Sequence, residues 1–78
     1  MTEGQRARAW REGLGLSRYA LADITGFSAS SIRNFEVGRN ESSGRPINER
    51  DMLAYRLACA SVAAKIRFDW GPVLIELK

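Results

Sequence analysis

The chain has 78 residues and a mass of 8.7 kDa, and 45% of its residues are apolar. This content suffices for one small core, so we expect a single domain over residues 1–78. No apolar run approaches the ~20 residues that span a membrane, and the polar N-terminal residues are unlike a secretory signal. The sequence therefore predicts a cytoplasmic protein with no membrane partner.

The residue types bound the chemistry that the chain can perform. A single cysteine, Cys59, and the lack of histidine exclude an intramolecular disulfide and a Cys/His zinc site. The sequence contains neither a recognisable nucleophile–base pair nor a phosphate-cradling glycine loop, so we expect no enzymatic activity, no metal and no cofactor. The net charge is +3, and ten of the 12 basic residues are arginines, which favour planar recognition of phosphate or guanine.

Two helices are predicted in the first third of the chain. The segment 5–12 is rich in Ala and Arg, and this helix should end around Gly13 and Gly15. Ser17 can cap a second helix of about two turns, which Gly26 ends.

A third short helix and a loop follow. Ser28 is the candidate N-cap, Ile32 and Phe35 share one face, and Gly38 ends the helix. Residues 39–46 are rich in Asn, Ser, Gly and Pro, which predicts a loop before a longer fourth helix.

The fourth helix is predicted to begin after Asn48, with Asp51 in its first turn. Its apolar residues form two neighbouring stripes, and a helix apolar over so much of its circumference needs two surfaces to pack against. The first stripe contains Leu53, Leu57, Ala60 and Ala64, and the second contains Met52, Tyr55, Cys59 and Val62.

Residues 65–78 allow two interpretations. Apolar and charged residues alternate on both sides of a turn-like Asp69-Trp70-Gly71-Pro72, which predicts a β-hairpin or a strand-like arm. The alternative is a short fifth helix with Pro72 at its first position.

The second and third predicted helices have the features of a helix-turn-helix. The connecting residues Thr25, Gly26 and Phe27 are few enough to force a large crossing angle. Gly26 can adopt a left-handed conformation, and Ala22 is small enough to allow close approach of the helices. The apolar wedge between them would consist of Leu21, Phe27, Ile32 and Phe35.

The ordered residues of this segment resemble the Cro and phage-repressor type helix-turn-helix of the XRE family. The matching stretches are Leu16-Ser17-Arg18-Tyr19-Ala20-Leu21-Ala22-Asp23, Gly26-Phe27-Ser28 and Ile32-Arg33-Asn34-Phe35-Glu36-Val37-Gly38-Arg39. The resemblance covers residues 6 to about 60. It implies a mainly α, compact four- to five-helix domain of the lambda-repressor type, with the helix-turn-helix at about residues 17–37. Thr25, where the family usually has an aliphatic residue, and the longer loop 39–46 depart from the family pattern.

By this resemblance, helix 3 enters the major groove of a double-stranded DNA operator. The base-reading positions would be Ala29, Ser30, Arg33 and Asn34. Arg33 can pair with guanine, Asn34 with adenine, and the Ala29 methyl can contact thymine. The alternative is that Arg33 and Asn34 belong to a solvated helix face.

A second set of residues is expected to contact phosphates. Serine caps leave backbone amides that can receive an anion, and arginines near the helix starts and in the loop can pair with phosphate. The candidates are Ser17, Arg18, Ser28, Ser31, Arg39, Ser43 and Arg45. Each serine cap also has a purely structural role, and each arginine could be only a solvated charge.

Arg11 and Glu36 match a pair that, in phage repressors, ties helix 1 to the end of helix 3. We expect this pair to be structural, since an unpaired carboxylate near DNA would repel phosphate. Apolar and aromatic residues at helical spacing, such as Trp10, Met52 and Tyr55, are expected to form core rather than a ligand site.

The resemblance also implies a homodimer that represses transcription. We expect the dimer contact on the fourth helix and the following arm, at about residues 48–78. The candidate interface residues are Tyr55, Cys59, Val62, Phe68, Trp70, Val73 and Ile75. Two alternatives share the same fold: an antiactivator of phage or mobile-element type that binds another regulator, and the antitoxin of a toxin pair. RNA polymerase or a second protein would be further partners that the sequence does not identify.

Overall fold

A computed structural model describes residues 1–66, which contain four α-helices. They are α1 (Glu3–Gly13), α2 (Arg18–Thr25), α3 (Ala29–Val37) and α4 (Glu49–Ala63). The structure confirms the predicted mainly helical class. Within residues 1–66 the β-pairing is limited to one isolated bridge between Arg39 and Pro46.

Polar caps determine where the helices begin. Ser17, Ser28 and Asn48 each accept a hydrogen bond from the backbone N–H three residues later, at 2.8–3.0 Å. These three starts were predicted. The first helix begins earlier than predicted, because Thr2 and Gln5 form a reciprocal capping box.

Two glycines end the short central helices. Gly26 follows α2 with φ 82° and Gly38 follows α3 with φ 92°. A residue with a Cβ is strained in this left-handed region, so glycine is favoured at both positions. The sharp turn at Gly26 allows α3 to begin only a few residues after α2 ends.

The core lies where α2, α3 and α4 meet. Leu21 and Ile32 are completely buried, and Phe35 stacks on Tyr55 with ring centroids 4.4 Å apart. Phe27, from the turn between α2 and α3, packs edge-on against both rings at 5.5 Å. The predicted wedge therefore exists, and α4 contributes an aromatic ring to it.

The structure decides between two expectations for Tyr55 on α4. Tyr55 was expected to form core and was also a candidate dimer contact; only 2% of its surface is exposed, because its ring fills the aromatic core. The stripe that contains Met52 and Tyr55 faces inward. From the other stripe, Leu53 and Leu57 are 45% and 61% exposed.

Four of the interface predictions concern residues 67–78. Phe68, Trp70, Val73 and Ile75, together with the choice between a hairpin arm and a fifth helix, lie outside the residues that the structure describes. Of the helices in the described part, none has the length and hydropathy required for a membrane span.

Helix α1 packs against the end of α3 through a glycine. Gly4 is buried, and a Cβ built on it would lie 2.7 Å from the carbonyl oxygen of Phe35 and closer still to that of Glu36. Both neighbours are backbone atoms, which cannot turn aside as a side chain can. The contact therefore requires glycine in the first turn of α1.

We predict that Gly4→Ala destabilises the domain by about 1–3 kcal/mol, because the added methyl group pushes α1 away from α3. Gly13→Ala is the matched control: its Cβ would have no neighbour within 4 Å. This control should leave stability unchanged or raise it by up to about 1 kcal/mol, because alanine favours the helix. Urea unfolding followed by circular dichroism measures both. Equal stability of the two variants would contradict the proposed contact.

Candidate nucleic-acid interface

Helices α1, α2 and α3 together line a surface depression. Its walls include the N-termini of α2 and α3 and one face of α1. Five of the residues predicted to contact DNA line it: Ser17, Arg18, Ala29, Ser30 and Arg33. Residues that are up to 16 positions apart in the sequence thus share one surface, because the tight turn at Gly26 places the two helix starts side by side.

Each of the two helix starts combines a serine cap with backbone amides. The Ser17 and Ser28 hydroxyls each accept from one amide, and the first amides of a helix lack intrahelical partners. Such a start favours an anion through its amides and the helix dipole. The Ser28 hydroxyl lies 2.9 Å from that of Ser31, so Ser31, a predicted phosphate contact, hydrogen bonds within the α3 cap.

A buried ion pair lies beside this depression. The Arg11 Nε and Nη2 atoms donate to the two carboxylate oxygens of Glu36, at 2.7 and 3.1 Å. Arg11 Nη1 donates to the Leu16 carbonyl at 2.9 Å. The pair expected from the sequence is therefore present, and it also ties α1 to the segment that leads into α2.

Arg18 joins the same cluster. Its Nε donates to Glu36 Oε1 at 3.1 Å, and about a third of its side chain is exposed. Sequence analysis predicted only a phosphate contact for Arg18. Its position gives it a structural partner and leaves part of its side chain at the surface.

The surroundings favour the charged forms of this cluster. Burial disfavours the charged form of Glu36, but the hydrogen bonds and positive charges of Arg11 and Arg18 outweigh it, so its pKa is lowered from 4.5. The hydrogen bond with Glu36 raises the pKa of Arg11. Two arginines and one carboxylate leave a net positive charge beside the helix starts.

Arg33 has an acidic partner that sequence analysis did not find. Its Nη1 lies 2.6 Å from Glu41 Oε1, and both side chains are about half exposed. The backbone N–H of Glu41 donates to Asn34 Oδ1 at 3.4 Å. Glu41 thus contacts two of the predicted base-reading residues, whereas Asn34 lines a different depression from Arg33.

The loop after α3 is held by its own hydrogen bonds. Besides the bridge between Arg39 and Pro46, the Asn40 N–H donates to the Arg45 carbonyl at 2.8 Å, and Gly44 turns the chain with φ 69°. The predicted phosphate contacts Arg39, Ser43 and Arg45 are exposed on this loop and do not line the depression.

The remaining predicted interface residues of α4, Cys59 and Val62, are half-buried and pack against the core. Val62 also lines a depression of mixed polarity between the C-terminal ends of α2 and α4, which Thr25, Ser61 and Lys65 line as well. Two exposed isoleucines line the same depression: Ile24 is 57% exposed and Ile66 is 64% exposed.

Sequence reasoning missed Gly4 and Glu41 because each depends on a contact outside its own segment. Gly4 meets the backbone of α3, and Glu41 reaches back to α3 from an irregular loop that has no periodicity. An acidic residue a few positions after the predicted third helix is a weak signal for the second contact. Comparison with family models, curated proteins and solved structures finds no match for this chain.

We predict that Glu36→Ala lowers the free energy of unfolding by about 3 kcal/mol, because it leaves the buried Arg11 guanidinium without its partner. Urea unfolding at neutral pH measures the loss. Glu12→Ala is the control, since Glu12 forms only an exposed pair with Arg8 on α1 and should cost less than about 1 kcal/mol. If Glu36→Ala has the same melting temperature as the parent, the structural role assigned to Glu36 is wrong.

Acidification tests the same pair through its charge. Because the folded-state pKa of Glu36 lies below its ordinary value of 4.5, the stabilisation is complete above that value and is lost as pH falls through the folded pKa. Stability should therefore fall less steeply below about pH 4.5 in Glu36→Gln than in the parent. Identical pH profiles would show that Glu36 contributes no charge-dependent stability.

Proposed function

We propose that the chain is a sequence-specific, double-stranded DNA-binding regulator of the Cro and phage-repressor type, in which α2 and α3 form the helix-turn-helix. The observation that supports it is the shared depression, where two capped helix starts meet Arg18, Ser30 and Arg33 on one surface. The buried and apolar side of α3 faces the core, and its polar side is exposed. A helix held in this way can enter a major groove.

The exposed side chains of α3 fit base recognition. Arg33 can donate a bidentate pair to guanine, Ser30 can donate or accept, and the Ala29 methyl can contact thymine. Asn34 can pair with adenine once its contact with the Glu41 amide opens. Each good bidentate pair discriminates against the wrong base by about 1–3 kcal/mol.

Other groups would position the protein on the DNA backbone. The starts of α2 and α3 offer backbone amides to phosphate, and Arg18 adds a positive charge on a partly exposed side chain. Arg39 and Arg45, on the loop after α3, would reach phosphates beyond the depression. Such contacts fix the register without reading the sequence.

We further propose a homodimer, because one recognition helix reads too few base pairs for useful specificity. Two copies related by a two-fold axis read half-sites about 34–36 Å apart in a palindromic operator. The depression lined by the apolar side chains of Ile24, Val62 and Ile66 and by Thr25, Ser61 and Lys65 is the proposed dimer contact. Occupation of a promoter by this dimer would exclude RNA polymerase and so repress transcription, including that of its own gene.

We predict that Arg33 and Arg39 contribute differently to DNA binding. Selection from a random duplex pool, followed by affinity measurements across salt concentrations, separates base reading from phosphate contact. Arg33→Ala should relax the preference at one operator position, at a cost of about 1–3 kcal/mol on the best sequence. Arg39→Ala should weaken binding to all sequences and reduce the salt slope by about 1.

Arg6→Ala is the matched control for the loss of one positive charge. Arg6 lines the opposite groove, between α1 and α4, and is exposed. Arg6→Ala should therefore leave the preferred sequence unchanged. Its effect on the salt slope should be no larger than that of one distant positive charge. Equal losses on every sequence from Arg33→Ala and Arg39→Ala would contradict the proposed division of roles.

We predict that Ile24→Gln weakens dimerisation by about tenfold or more, because it removes the burial of one isoleucine from the contact. Leu53→Gln is the control, since Leu53 is 45% exposed on α4 and does not line the depression. Sedimentation velocity over a range of concentrations measures both. A parent that sediments as a monomer throughout, or equal effects of the two substitutions, would contradict this interface.

A further inference from the structure

The pair between Arg33 and Glu41 places an acidic side chain at a surface proposed to meet DNA. A carboxylate at such a surface repels phosphate unless it keeps a cationic or hydrogen-bonding partner. Here the partner is the guanidinium of Arg33, with Nη1 at 2.6 Å from Glu41 Oε1. The position of Glu41 therefore affects which groups Arg33 can bind.

The loop after α3 fixes that position. Arg39 and Pro46 pair across it, and the Gly44 N–H donates to the Asn40 carbonyl at 2.7 Å. These contacts fix the path of the loop backbone, so the Glu41 side chain extends from a held position near α3.

The guanidinium of Arg33 has enough N–H donors to serve two acceptors at once. Arginine carries five N–H donors in a planar fork. In Arg33, Nη1 is the nitrogen that approaches Glu41, and the edge formed by Nε and Nη2 can bind another acceptor pair. Guanine offers such a pair in O6 and N7, so Arg33 can bind guanine and Glu41 at the same time.

A phosphate contact has a different requirement. The arginine side chain carries about 2 kcal/mol of rotamer entropy and, when free, can swing to the nearest backbone phosphate. Held by Glu41, Arg33 would have to break the pair or bring the carboxylate towards the phosphate. Either change costs free energy, so binding is weaker to a DNA that offers no guanine at this position.

We infer that Glu41 is a positioning residue that restricts Arg33 to guanine and weakens its use on non-cognate DNA. This inference rests on the proposed DNA-binding function. Glu41 does not itself need to touch a base. It acts by holding one amino group of Arg33 and by keeping a negative charge near phosphates that Arg33 would otherwise bind.

The test compares two duplexes of equal length and composition: the best sequence that the parent selects from a random pool, and a scrambled version of it. Glu41→Gln should tighten binding to the scrambled duplex by about fivefold, the upper range for an exposed pair. Binding to the selected duplex should change by less than about twofold, because guanine holds Arg33 there. The ratio of the two affinities therefore falls.

Two controls separate positioning from bulk charge. Glu12→Gln removes an acidic charge from the wall of the same depression and should tighten binding to both duplexes equally. In a protein that already carries Arg33→Ala, Glu41→Gln should change the affinity for both duplexes equally, because the arginine through which Glu41 acts is missing. Melting followed by circular dichroism shows that the exposed Glu41 position tolerates the change.

The outcomes are distinguishable. If Glu41→Gln tightens both duplexes equally, as Glu12→Gln does, Glu41 is only one more negative charge and the inference is overturned while the DNA-binding function stands. The same holds if Glu41→Gln lowers the affinity ratio even in the Arg33→Ala background. A parent that binds neither duplex in dilute buffer overturns the proposed function itself.

Discussion

The buried carboxylate of Glu36 is the constraint on which the rest of the structure depends. A charge removed from water costs several kcal/mol unless it is paired and hydrogen bonded. Its partners come from α1 and α2, and the Arg11 guanidinium is also bonded to the Leu16 carbonyl. One carboxylate therefore holds three helices in register, and α1 cannot slide along α3 without leaving it unpaired. The close approach at Gly4, beside the same turn of α3, belongs to this arrangement.

The features that sequence reasoning recovered are local ones. A serine or asparagine cap and its amide lie three residues apart, so the starts at Ser17, Ser28 and Asn48 follow from a few neighbouring residues. Glycine ends at Gly26 and Gly38 are local in the same sense. The contact between Arg11 and Glu36 is distant in sequence, and it was accessible only through resemblance to a family.

The errors have equally physical causes. Periodicity identifies the apolar stripes of a helix but not which of them faces the core. On α4 the stripe with the bulkier ring, Tyr55, fills the space beside Phe35, and the leucines at 53 and 57 are left exposed. The position of Glu41 could not be predicted either, because a loop places residues through backbone turns such as the one at Gly44 and has no period to read.

The charges around the depression also explain why a net charge of +3 says little about binding strength. Arg11 donates to Glu36 and to the Leu16 carbonyl, Arg18 shares Glu36, and Arg33 is paired with Glu41. The arginines at this surface are thus partly neutralised before any ligand arrives. For the proposed DNA contact, this lowers the sequence-independent attraction to phosphate, which provides most non-specific affinity. Discrimination between DNA sequences then has to come from the orientation of the guanidinium N–H donors. An arginine that is paired with a loop residue, as Arg33 is, provides such an orientation.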